Sequence, residues 1–167
     1  MMKKTIYLFL CALLISAGLF ASGNEGSALA NQKTITKNMI YGEANLWIMG
    51  SAANVSYERI IHTGEKGYFS AAGSYGLWKD EYENGDLFSL TGNYLYGAGS
   101  HQIEFGLGGM IKVHYDQYFT NEKKFDHVTL LPDLFLGYRY KKPAGHLIFK
   151  AGVGFPGLVS AGVGVAF

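Results

Sequence analysis

The sequence predicts an all-β fold: an eight-stranded antiparallel up-and-down transmembrane β-barrel. Three observations carry this. Beyond residue 30 the apolar residues recur with a period of two, and no stretch shows helical spacing. One face of the alternating segments collects Leu, Ile, Val and aromatics, while the other collects Gly, Ser, Asn and charge. The chain also holds 23 glycines and 15% aromatic residues, high for a soluble domain but suited to a barrel with a small-residue interior and aromatic girdles.

The first element is an export signal. Lys3 and Lys4 form a basic n-region, and Thr5 to Phe20 is nearly unbroken apolar sequence, too short for a spanning helix. Ala28-Leu29-Ala30 matches a small-residue cleavage pattern; Ala21 is the alternative. Residues 1–30 are thus expected to be removed, 31–38 to form a periplasmic extension, and 39–167 to form the barrel. Cys11, the only cysteine, falls in the signal, and Leu10 before it is too large for a lipoprotein site. The mature chain then has no disulfide, thiolate metal site or cysteine nucleophile. Cleavage after Ala30 leaves 12 basic and 12 acidic residues in 137, which offers no basic surface for nucleic acid.

Eight strands follow. The first is Met39 to Gly50, with Ile40, Ala44, Leu46 and Ile48 opposed to Glu43, Asn45 and Trp47. The second, Ala53 to Ile61, sets Val55 and Tyr57 against Asn54, Ser56 and Glu58, before a turn at 62–67. The third, Tyr68 to Trp78, has small residues on both faces and no clear facing. A polar loop at 79–86 leads to the fourth, Leu87 to Gly97, and a tight turn at 98–100 to the fifth, His101 to Val113. The fifth is the clearest: Ile103, Phe105, Leu107, Ile111 and Val113 against Gln102, Glu104, Gly106, Gly108 and Lys112. The longest loop, 114–126, precedes the sixth strand, His127 to Tyr140, where Pro132 should mark a bulge or kink. A turn at 141–145 leads to the seventh, His146 to Phe155, and Pro156-Gly157-Leu158 to the eighth, Val159 to Phe167.

The eighth strand alternates Val159, Ala161, Val163, Val165 and Phe167 with Ser160, Gly162, Gly164 and Ala166. A terminal strand ending on an aromatic resembles those that outer-membrane assembly machinery reads, so Phe167 is the expected assembly signal. With Phe167 at the periplasmic rim, the turns at 62–67, 98–100 and 141–145 are periplasmic and the longer loops at 79–86 and 114–126 are outside. A soluble lipocalin-like barrel is the rival, with the apolar face inside. Glycine on the polar face, aromatics near strand ends and Phe167 favour the membrane. Segments 38–43 (Asn-Met-Ile-Tyr-Gly-Glu), 54–59 (Asn-Val-Ser-Tyr-Glu-Arg), 101–108 (His-Gln-Ile-Glu-Phe-Gly-Leu-Gly) and 137–140 (Gly-Tyr-Arg-Tyr) resemble a family of small, porin-like bacterial outer-membrane barrels. That resemblance implies a fold and an outer-membrane address, and no assigned chemistry.

Catalytic patterns are weak. Barrel lipases and deacylases use a His activating a Ser on one strand face, and none of His62, His101, His114, His127 and His146 has Ser two positions on. The loop between His114 and His127 contains no Ser for a palmitoyltransferase-type site. A metal site drawn from His114, Asp116, Glu122, Asp126 and His127 matches no ligand spacing. No enzyme activity, metal or cofactor is expected. The interior charges say more. Glu58, Glu104, Arg139 and Lys150 all point inward near the periplasmic end, on the second, fifth, sixth and seventh strands, so the sequence predicts an ion-pair network centred on Arg139 that plugs the lumen. The expected role is structural or surface-interacting, through outer-membrane lipid, the barrel-assembly machinery during insertion, and a surface partner at the 114–126 loop. The alternatives are a small passive channel or carrier for an apolar solute, lined by Gly106, Gly108, Gly152, Gly154, Gly162 and Gly164, and, behind that, a lipid-modifying enzyme.

Overall fold

Alternation makes each strand two-faced, and a chain of two-faced strands must cover one face. A computed structural model describes residues 37–167, apart from Met49, Tyr82, Ala98, 117–123 and 143–144. The expected signal peptide and extension lie outside those residues, save Lys37 and Asn38. Eight strands form a closed antiparallel barrel in sequence order: β1 (Asn38–Trp47), β2 (Gly50–Thr63), β3 (Gly67–Asp80), β4 (Asn84–Tyr96), β5 (His101–Asp116), β6 (Lys124–Lys141), β7 (Leu147–Phe155) and β8 (Val159–Ala166). Closure is made by β1 against β8, from Met39↔Ala166 to Leu46↔Val159, and Phe167 and Asn38 exchange backbone bonds of 2.8 and 3.1 Å at the seam.

The faces follow the sequence pattern. Leu46, Val55, Leu77, Leu90, Leu107, Leu134, Val153 and Val163 are exposed on the outside of successive strands. Their strand neighbours point in. The third strand, ambiguous in sequence, turns Ser70, Ala72, Gly76 and Trp78 inward and Phe69, Tyr75 and Leu77 outward. Eight strands enclose a lumen just wide enough for side chains to fill.

The strand ends differ from expectation. β2, β3, β5 and β6 run past their expected limits and β4 starts early, at Asn84, leaving 81–83 and 117–123 between strands, while β1 stops at Trp47, β4 at Tyr96, and β7 starts at Leu147. Polar residues such as Asp80, Asn84 and Asp86 lie in the ladders. Polarity there marks where the outward apolar band ends, and backbone pairing continues beyond it.

Pro132 makes no bulge. It stays in register opposite Gly109, and the ladder shifts instead between Val113 and Tyr115, where Asp126 and His127 of β6 both stand opposite His114. The reason lies on the other flank. The β6–β7 ladder begins at Leu134↔Phe155, so Pro132 sits in a stretch of β6 without a β7 neighbour, where a missing N–H is tolerated. A second shift falls at Ile61 in β2.

That flank also makes the rim uneven. β6 has 18 residues, but β7 and β8 have 9 and 8. The wall is therefore lowest at the Pro156–Leu158 turn, between the overhanging part of β6 and the end of β1.

Candidate functional site: the charged lumen

With the apolar face turned out, the barrel interior is built from polar groups. Near the end that holds both Asn38 and Phe167, Arg139 on β6 is 1% exposed, and Glu58 on β2 and Glu104 on β5 are wholly buried. Arg139 Nη1 and Nη2 donate to Glu58 Oε1 and Oε2 at 3.1 and 2.7 Å. Its Nε donates to Glu104 Oε2 at 2.9 Å, and Nη2 lies 2.8 Å from Glu104 Oε1. The planar guanidinium thus forks onto two carboxylates at once, which an ammonium cannot do. Lys150 on β7, paired in register with Arg139, contacts Glu104 at 3.3 Å and Glu43 of β1 at 2.9 Å. The structure therefore brings together all four residues singled out in the sequence, with Arg139 between Glu58 and Glu104.

Sequence reasoning missed the supporting groups. Tyr41 OH and Ser70 Oγ both donate to Glu58, and Met39 Sδ lies 3.3 Å from Arg139 Nη1. Asn54 and Ser56 donate to Glu43 at 2.9 and 3.1 Å. Their signal was available: Tyr41, Glu43, Asn54, Ser56 and Ser70 share the inward parity. Partner identity was not, because it depends on reach across the lumen. Apolar packing closes this end, where Met39, Tyr41, Ile148 and Ala166 form a buried cluster.

The spaces left by glycine are occupied. Phe135 lies over Gly137 and Gly152, Tyr41 over Gly164, and Glu43 and Lys150 over Gly162, so a Cβ at any of these positions would collide. Above the ionic layer is a cavity of about 70 Å³ with a mixed lining, polar at Asn45, Asn54, Ser89, Asp133 and Ser160 and apolar at Leu87, Met110 and Phe135. Its roof is aromatic. Trp47 and Trp78 stack at 6.3 Å, 9° from parallel, with Lys112 Nζ 4.3 and 3.6 Å from their ring centres. Each contact suits a cation over a π face.

At the upper rim, beside the β6 bulge, His127 lies on His114, rings stacked at 4.0 Å. His114 Nδ1 lies 2.6 Å from Glu83 and its Nε2 lies 3.2 Å from Thr129 Oγ1. Acid, imidazole and hydroxyl in that order resemble a nucleophile relay, one that a search for Ser alone overlooks. His127 stacks on the imidazole and the Trp78 ring meets it edge-on, its centroid 4.7 Å away. Asp126 contacts His127 at 2.7 Å. Glu122 and the side chain of Asp116 lie outside the described residues, among which no cluster of three metal-ligating side chains occurs. His101 contacts Tyr138, and His146 Nδ1 lies 2.7 Å from the Ala166 carbonyl.

No family model matches the chain, and no curated protein matches it. The chain is a small eight-stranded barrel by its own geometry.

Proposed function

We propose that this chain is a β-barrel of the bacterial outer membrane with a structural or surface-interacting role and no enzymatic activity. One observation carries the reading: exposed Leu, Ile, Val and Phe side chains ring the outside while the buried interior is ionic. A soluble barrel has the opposite arrangement, and a continuous apolar surface of this extent would drive aggregation in water. Aromatic contacts on the outward face support it. Phe69–Tyr94 and Tyr140–Phe149 lie toward the end with Asn38 and Phe167, and Tyr75–Phe88 lies toward the other, as interfacial girdles require.

In this reading lipid contacts the outer face, the assembly machinery recognises the Phe167 strand, and the 114–126 segment between β5 and β6 meets a surface partner. The Arg139 network and the filled glycine spaces stopper the lumen. The cavity is small, about 70 Å³, and its Leu87, Met110 and Phe135 side chains are interleaved with Asn, Ser and carboxylate, so the carrier alternative is weaker. The test is fractionation of expressing cells with gel mobility read before and after boiling. We expect outer-membrane recovery, a mobility change on heating, and no stable conductance in planar bilayers. Recovery in the soluble periplasm would refute the address, and stable single-channel steps would refute the stopper.

A further inference from the structure

The lumen carries more acid than base. Below the Trp47–Trp78 pair, the inward-facing charged residues are Glu43, Glu58, Glu104 and Asp133 against Arg139 and Lys150, an excess of two carboxylates among the described residues. The two cations are committed to Glu58, Glu104 and Glu43. Asp133 receives a hydrogen bond from Ser89 and forms no ion pair among the described residues. Buried charge without a counter-charge is costly, so this cavity favours an added cation.

A second observation, unrelated to charge, points the same way. Ser160 on β8 is 7% exposed and lines the cavity, and its Oγ has no hydrogen-bond partner. Buried hydroxyls are rarely left so. It stands opposite Asn45 in register. Among the described residues the cavity therefore offers one carboxylate without an ion-pair partner and one hydroxyl without a hydrogen bond.

We propose that the cavity binds a small primary ammonium ion, with Asp133 as its counter-charge and Ser160 Oγ as a second acceptor. An ammonium carries three donors and one charge, which matches that set. The described residues hold no group of three acids or histidines for a divalent metal. The roof already receives one ammonium, Lys112, between its two indoles. Size limits the ligand: about 70 Å³ accepts roughly five water-sized groups, enough for methylammonium or a short amino alcohol but too few for a lipid headgroup with its phosphodiester. Phe155 and Gly157, at the low β7–β8 turn, also border the cavity.

The test is a titration of the refolded, ¹⁵N-labelled barrel in detergent micelles with methylammonium chloride, against sodium chloride at equal ionic strength. It does not depend on where the protein resides in the cell, so its failure leaves the outer-membrane reading standing. Saturable shifts are expected at the amides of Asn45, Asp133, Gly154 and Ser160 with methylammonium only. Asp133→Asn should weaken binding at least tenfold and Ser160→Ala severalfold, both with unchanged barrel spectra elsewhere. Equal saturation by sodium, shifts that never saturate, or unaltered binding in both variants would overturn the proposal and leave a water-filled cavity.

Discussion

Replacing Arg139 by Met tests the lumen most directly. Arg139 is the only cation bonded to Glu58 among the described residues, whereas Glu104 keeps Lys150 at 3.3 Å. The substitution therefore leaves Glu58 wholly buried with only the Tyr41 and Ser70 hydroxyls. Breaking a buried pair by removing one partner costs about 3–5 kcal/mol, chiefly for the stranded charge. That shifts the folding equilibrium by roughly two to three and a half orders of magnitude. Urea unfolding in lipid vesicles, followed by loss of the fast-migrating folded band on unheated gels, reads the change. Adding Glu58→Gln to Arg139→Met removes the stranded charge and should restore most of the loss. Stability of Arg139→Met within about 1 kcal/mol of the parent, or no recovery in the double variant, would refute the reasoning.

Leu107 is 66% exposed on β5, and Leu107→Arg should destabilise by about 2–4 kcal/mol if its level is the bilayer midplane. Ile48→Arg, at the β1–β2 turn, should cost no more than about 1 kcal/mol by the same unfolding assay, and equal costs would undo the membrane depth assigned to the two sites. Deleting Phe167 removes both seam bonds to Asn38, so the truncated chain should reach the outer membrane at reduced levels; normal recovery by immunoblot would show that the terminal residue is dispensable.

The count and order of the strands, and the facing of all but the third, were legible because period-two alternation is a direct image of the pleat. Strand ends were not, since Asp80, Asn84 and Asp86 look like loop residues although their backbone stays paired. The grouping of Glu104, Arg139 and Lys150 could be read from consecutive strands. Glu58 required an assumption about lumen width. The Glu83–His114–Thr129 chain was illegible because Glu83 lies between β3 and β4, where strand parity says nothing of facing, although His114 and Thr129 share the inward parity. Pro132 drew attention to the wrong place: a proline reports that one backbone donor is missing, not which side of the strand has a neighbour to miss it.

The ionic interior also bears on why the chain adopts one register. A soluble domain fixes its strands by burying apolar side chains, but here those face outward and every Leu or Val finds much the same surroundings on any neighbouring position. Slipping β6 by one residue against β5 and β7 would turn Arg139 outward and bring Tyr138 and Tyr140 in. Glu58 and Glu104 would then be buried without the guanidinium, while Lys150 would keep only part of its pairing. The penalty is borne by the wrong registers, where broken pairs cost several kcal/mol each. In the right register the same pairs add little beyond offsetting their own desolvation. The network's contribution is thus larger as a difference between registers than as stability of the native one, which fits its position at the end where β8 must find β1 and the wall must close.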